Sequence, residues 1–240
     1  MKAMLLRVGI DKGTDGALAP IFDDGSFEYI PISEGDAKSK EDRTYKNTIG
    51  RSGKPLSTYL PEEIENRTMH FDPEFDTFTY GDPTYKRGFL LKLEKNDLLV
   101  FYAGLYPFQT QKYKTALYII GYFTVDRMVD FNSLPRSEIR QCYKKYTNNA
   151  HLKRSYDTED LVIIVGNKKK SRLLNKAILI SQTKYDRNGK PYQAVSKKME
   201  KMLGISGSIQ RSIPPRFISS ENNVSNLKSL LHYPTPKNIK

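Results

Sequence analysis

Tryptophan is absent from the 240 residues, and cysteine occurs once, at Cys142. A single thiol excludes a disulfide framework and any multi-cysteine zinc site, including the Cys-ligated zinc of nucleobase deaminases. Histidine is scarce too: His70, His151 and His232 are the only three, and they stand far apart in the chain. There is no H-E-x-x-H, no phosphate-binding G-x-x-x-x-G-K-[ST], no G-x-G-x-x-G, no G-x-S-x-G elbow and no kinase set. From sequence, therefore, no metal is assigned and no cofactor can be named. The longest apolar run, Ala116 to Phe123, falls far short of the roughly 20 residues that cross a bilayer. The first residues, MKAMLLRVGID, meet Arg7 and Asp11 before a secretory apolar region can form. These absences predict a cytoplasmic protein without a membrane partner.

What the chain does have is unevenly placed charge. Lys and Arg number 39 against 27 Asp and Glu, a net +12. Residues 1–130 hold 17 basic and 20 acidic side chains, a balance of −3, and residues 131–240 hold 22 and 7, a balance of +15. A proteome-wide lysine bias would charge both stretches alike. The asymmetry points instead to a lobe made for a polyanion.

Met4 to Ile10 reads as a first buried strand, running into the polar loop Asp11-Lys12-Gly13-Thr14-Asp15-Gly16. Asp23-Asp24-Gly25 between apolar pairs is a hairpin signal. Residues 33–66 are polar and irregular, with a short helix near Pro61 to Glu63. Asp97 to Tyr102 and Thr115 to Val125 are the clearest strands, the second of them central. Ser133 and Pro135 open a helix through about Tyr146, striped by Ile139, Cys142, Tyr143 and Tyr146. The polar stretch Thr147 to Asp157 reads as a boundary between residues 1–147, β-rich, and 148–240, basic and mixed, packed as one unit. Leu161 to Val165 and Ala177 to Thr183 read as strands, Asn188-Gly189 as a tight turn, and Val195 to Leu203 as a basic helix stopped by Gly204. Beyond Ile213 the prolines Pro214, Pro215, Pro234 and Pro236 suggest an extended arm. The order of elements argues for an α+β protein.

Three groups of residues could carry chemistry. Lys168, Lys169, Lys170 and Arg172 follow a buried strand and Gly166, and read as leading into a short helix. Cations there oppose the helix dipole unless an anion sits among them; the competing reading is a solvated turn. Tyr102, Tyr106 and Tyr113 stand beside Gln109, Gln111 and Lys112 and could stack on a base, or could be ordinary strand tyrosines. Asp11 and Lys12 on the first loop, with His70 and Asp72 two apart, suit acid–base work. A local side-chain turn and a hydrogen-bonded structural histidine are the plainer readings.

Two resemblances add to this. Asp97 to Tyr102, followed by Tyr118 to Val125, is similar to the core of PUA-like barrels, including EVE and ASCH domains. More of the chain resembles the nucleotide modification associated domain 3 family. The matching blocks are Arg7-Val8-Gly9-Ile10-Asp11, Gly16, Ala19-Pro20-Ile21, Asp24-Gly25, Ile30-Pro31-Ile32, His70-Phe71-Asp72-Pro73, Asn96 to Gly104 and Ile120 to Phe123. The chain departs from that family's pattern at Val8, around Gly16 and at Leu105. The resemblance implies a partly open, PUA-like mixed β-barrel with peripheral helices and a basic C-terminal elaboration. It also implies a nucleic-acid or nucleotide partner, in nucleobase modification or modified-base recognition. An enzyme using Asp11, Lys12, His70 and Asp72, and a plain interaction protein, are the rival expectations.

Overall fold

The computed structural model describes residues 1–154 and 159–233. One mixed sheet organises the chain. Its path is β12 (Arg216–Ile218), β1 (Ala3–Arg7), β6 (Leu98–Pro107), β7 (Ala116–Asp130), β8 (Val162–Gly166) and β5 (Thr79–Asp82). Two further strands join off this path: β2 (Ala19–Ile21) lies parallel to the end of β6, and β9 (Arg172–Leu179) pairs β7. Strands β1 and β6 are parallel, and β6, β7, β8 and β5 are successively antiparallel. No pairing among the described residues joins β12 to β5, so the sheet is an open path and no closed barrel forms. The α+β class therefore holds.

Strand β6 is LLVFYAGLYP, and its first eight residues are buried. A run apolar on both faces suits a strand covered on both sides. It continues through Pro107, beyond the Tyr102 limit expected from sequence, because Ala103, Gly104 and Leu105 keep pairing with Tyr118, Leu117 and Ala116. Strand β7 is central, as its sequence predicts: it holds β6, β8 and β9. The main core runs from Ala3 to Leu231 and draws on both halves of the chain. A smaller cluster gathers Val129, Phe131, Cys142, Tyr146, Leu152, Leu161 and Ile163. It seats the apolar stripe of α2 (Arg136–Lys145) beside α3 (Ala150–Lys153).

Several local expectations change. Ser133 does not cap α2: its hydroxyl donates to the Asp130 carbonyl, and Pro135 stands at the cap position. No helix follows the three lysines. Strands β8 and β9 run in one direction along β7, and residues 167–171 bulge out between them as a turn opposite Thr124. Asn167 Oδ1 accepts from the Lys169 and Lys170 amides, and Ser171 Oγ accepts from the Thr124 amide. The dipole argument for those lysines lapses with the helix. In the described part of Thr147 to Asp157, Asn149, Ala150, His151 and Leu152 are all buried.

The helix α4 (Lys197–Leu203) forms as expected, with Ser196 capping its start and Gly204, at φ 67°, ending it. The tail after Ile213 is not an extended arm. It adds β12 to β1 and then α5 (Glu221–Leu230), which buries Val224 and Leu227 and packs on α4. Pro234 and Pro236 lie outside the described residues. A short hairpin, β10 (Ser181–Tyr185) with β11 (Pro191–Val195), and the small pair β3 (Ile32–Ser33) with β4 (Met69–His70) complete the strands; α1 (Arg87–Leu90) follows β5. No described helix is long and apolar enough to cross a membrane.

Candidate functional site

A cavity of about 940 Å³ opens where the first loop, the start of α1, the β10–β11 hairpin and the segment after α4 meet. That volume lies in the range of small-molecule sites. Its wall holds four cations, Arg7, Lys12, Lys86 and Arg211, against one carboxylate, Asp11, which leaves +3 by count. Lys86 is shared with Asp82, 3.4 Å away outside the wall. Tyr85, 57% exposed, and Tyr192 stand in the wall with Gln193 and Gln210, over a floor that includes Leu18, Gly104 and Leu117.

Each charged group arrives by a local cause. Arg7 is the last residue of β1, held by the parallel pairing to β6. Asp11 folds the first loop on itself: its Oδ1 accepts from the Gly13 amide at 2.8 Å and the Thr14 amide at 3.0 Å. The local turn and the functional geometry therefore coexist, because Oδ2 stays free to face the arginines. Arg211 Nε donates to that oxygen, and its Nη2 donates to the Gly9 carbonyl. Arg7 Nη2 lies 3.5 Å from the same Oδ2. The Arg211 segment is pinned by Tyr102, whose hydroxyl donates to the Ile209 carbonyl at 3.0 Å.

The electrostatics follow. Burial would raise the Asp11 pKa, but the hydrogen bond and charge of Arg211, with the charge of Arg7, hold it below its usual value. Burial lowers the Arg7 pKa, Asp11 opposes that, and the like charge of Arg211 adds to it. Arg7 Nε is buried and has no hydrogen-bond partner among the described residues. A buried donor without a partner carries a desolvation cost.

A second cluster lies elsewhere. His70, Asp72 and His151 each offer one ligand atom, and these atoms all fall within 4.8 Å of one another. Both histidines are only 6% exposed. The Asp72 amide donates to the His70 carbonyl at 2.9 Å, a tight turn through Phe71. Asn149 caps α3 by accepting from the His151 amide and also donates to Thr79 on β5, which sets His151 against that strand. Glu34 Oε2 lies 3.0 Å from His70 Nδ1, and Arg154 Nε donates to both Glu34 oxygens. Burial pushes the Glu34 pKa up, but His70 and Arg154 outweigh it and bring it down to about 2.

The structure thus divides the sequence candidates. Asp11 and Lys12 line the cavity, while His70 and Asp72 stand with His151. Tyr102 is 4% exposed and serves the core, where burial raises its pKa to about 12. Tyr106 packs edge-on to Phe108, and the Tyr113 hydroxyl covers the Gly25 turn. The Arg172 guanidinium lies over the Tyr122 ring. None of these residues, nor Lys168, Lys169 or Lys170, is in the cavity wall. Sequence reasoning missed Arg211, Lys86, Tyr85 and Tyr192 as site residues, and His151 as the partner of His70. Only the excess of basic residues after position 130 hinted at Arg211.

A search of curated proteins and a search of solved structures each return no match. A family model does match, over residues 2–208. That span includes Arg7, Asp11, Lys12, Lys86 and the whole histidine cluster, and ends just before Arg211. Since it covers most of the 240 residues, the chain belongs to the nucleotide modification associated domain 3 family.

Proposed function

We propose that the chain binds a nucleotide or nucleic acid in the cavity, and acts in nucleobase modification or in recognition of a modified base. The observation that supports this most is the half-buried Arg7 guanidinium, paired to Asp11 through Nη2 but with its Nε unpartnered, beside Arg211 in a cation-rich wall. An arginine fork matches the paired oxygens of a phosphate. Lys12, exposed on the first loop, adds a charge, and Tyr85 offers a ring on which a base can stack. Gln210 supplies both a donor and an acceptor for a base edge, while the Gln193 amide is held by Ser181 and Thr183. Membership of a nucleotide modification associated family agrees with that ligand class. In this reading the two stretches of chain work as one unit, because β1 brings Arg7 and the segment after α4 brings Arg211. The open, mixed sheet is compatible with a PUA-like ancestry, and the cytoplasm is where such ligands abound.

The test is a titration of labelled mononucleotide, single-stranded DNA and single-stranded RNA at several salt concentrations. Three to four phosphate contacts on a single strand predict a log–log salt slope of about −2 to −3. A flat salt response, or no binding at low salt, overturns the proposal.

A further inference from the structure

Away from the cavity, we propose that His70, Asp72 and His151 bind a divalent first-row transition ion. The reasoning starts from ligand type. Two imidazoles and one carboxylate suit zinc, iron, cobalt or nickel better than magnesium or calcium, which prefer all-oxygen shells.

Geometry comes next. Ligands held at about 2.1 Å from one ion lie roughly 3–3.5 Å apart. His151 Nε2 and Asp72 Oδ2 are 3.7 Å apart, and the whole set lies within 4.8 Å. Closure on an ion therefore asks for side-chain shifts of about an ångström, without moving strands.

The surrounding groups orient each ligand. Asp72 Oδ1 accepts from the Gly81 amide at 2.8 Å, which leaves Oδ2 toward His151. His70 Nδ1 lies 3.0 Å from Glu34 Oε2 and 3.1 Å from Arg154 Nη2; in the tautomer protonated on Nδ1 it donates to Glu34 and leaves Nε2 for an ion. A carboxylate behind a histidine is the usual outer-shell arrangement at metal sites. Arg154 clamps that carboxylate and neutralises it, so Glu34 acts as a positioning residue and not as a ligand. The backbone of β5 closes the other side: a Cβ at Gly81 would come within 2.8 Å of His151 Cδ2. Asp72 is left with a negative charge at low exposure, and an ion is what balances it when both imidazoles are neutral. Three protein ligands leave at least one position open to water, as in reactive and not purely structural zinc sites.

The test uses the full chain and the metals alone. Metal content is measured as purified, then after chelation and dialysis. The chelated protein is titrated with Co²⁺, followed by its visible d–d bands, and separately with Zn²⁺ by calorimetry. One equivalent per chain is expected, with Zn²⁺ displacing Co²⁺. Asp72→Asn and His151→Gln should each weaken binding by 100-fold or more, and Glu34→Gln by about 10- to 100-fold. Circular dichroism melting of each variant separates lost ligation from lost folding. If a variant does not fold, the wild-type Co²⁺ spectrum decides alone, since imidazole ligation changes its bands. Wild-type protein that is folded, chelated and unable to take up Co²⁺ or Zn²⁺ overturns the proposal. Equal uptake by folded wild type, Asp72→Asn and His151→Gln does so as well.

Discussion

Asp11 and Asp72 are both carboxylates of low exposure, and what faces them differs. Asp11 meets two arginines, Arg7 and Arg211, so its cluster keeps +1 after pairing. Asp72 meets two imidazoles, His70 and His151, so with both neutral its cluster keeps −1. Guanidinium stays charged throughout the accessible pH range, whereas imidazole gives up its proton near neutrality. The first arrangement attracts an anion and opens onto 940 Å³ of cavity. The second attracts a cation and lies under β5. The charge left over by the partners, and not the carboxylate itself, decides what each site can receive.

The largest effect should come from removing the carboxylate of the first cluster. Asp11→Ala deletes the acceptor for the Gly13 and Thr14 amides and leaves Arg7 facing Arg211. Breaking such a low-exposure pair should cost about 3 kcal/mol in denaturant unfolding. The pH dependence follows from the sign of the shift. Asp11 is held below its usual value, so its stabilisation is present above about pH 4, the unfolded value, and is lost as pH falls through the folded one. Wild type should therefore lose stability on acidification that Asp11→Asn does not lose. Parallel acid profiles would contradict the account.

A smaller effect is expected at the second cluster. Gly81→Ala places a methyl within 2.8 Å of His151 Cδ2. Overpacking of this kind should cost about 2 kcal/mol and weaken metal uptake, while nucleotide binding in the cavity stays as in wild type. Loss of both functions together would show that the two clusters are not independent.

Tyr85→Ala sharpens the cavity side. Removing one exposed stacking ring should cost about 1 kcal/mol of mononucleotide affinity, several-fold, and leave inorganic phosphate binding unchanged. Equal loss for both ligands would place Tyr85 on the phosphate. The smallest effect belongs to the turn at 167–171. Replacing Lys168, Lys169 and Lys170 together by Gln should move stability by less than about 0.5 kcal/mol. Mononucleotide affinity should not change, and the salt slope on long single strands should fall by about one unit per lost contact. A mononucleotide effect matching that of the cavity residues would return the lysines to the centre of the site.

Local order was legible where neighbours in sequence decide it. The run LLVFY in β6, the Gly204 stop of α4 and the stripe of α2 all read correctly, because burial period and C-cap chemistry are short-range; the Ser196 cap did not, since the helix was expected from Val195. The turn at 167–171 was misread for a related reason: the lysines looked like a helix start, but Thr124 on β7 takes the turn's hydrogen bonds, and that partner lies 46 residues away. Half of each site was legible in the same way. Asp11 and Lys12 share one loop, and His70 and Asp72 share one turn. Arg211 and His151 were not legible with them, since only tertiary pairing brings Arg211 to Asp11 across 200 residues. Tyr102 looked like a base platform because aromatic spacing along a strand does not say which face is covered.

The central claim is that the half-buried Arg7 guanidinium, shared with Asp11 in a cation-rich cavity, receives a phosphate, and Arg7→Met tests it most directly. Met keeps the apolar stem and approximate volume, and Asp11 keeps Arg211 and the Gly13 and Thr14 amides as partners, so no carboxylate is left unpaired. Melting should stay near wild type. Mononucleotide affinity should fall roughly 10- to 100-fold, the worth of one hydrogen bond to a charged group, about 1.5–3 kcal/mol. Folded Arg7→Met protein that binds the mononucleotide as tightly as wild type, with the same salt slope, would contradict the account.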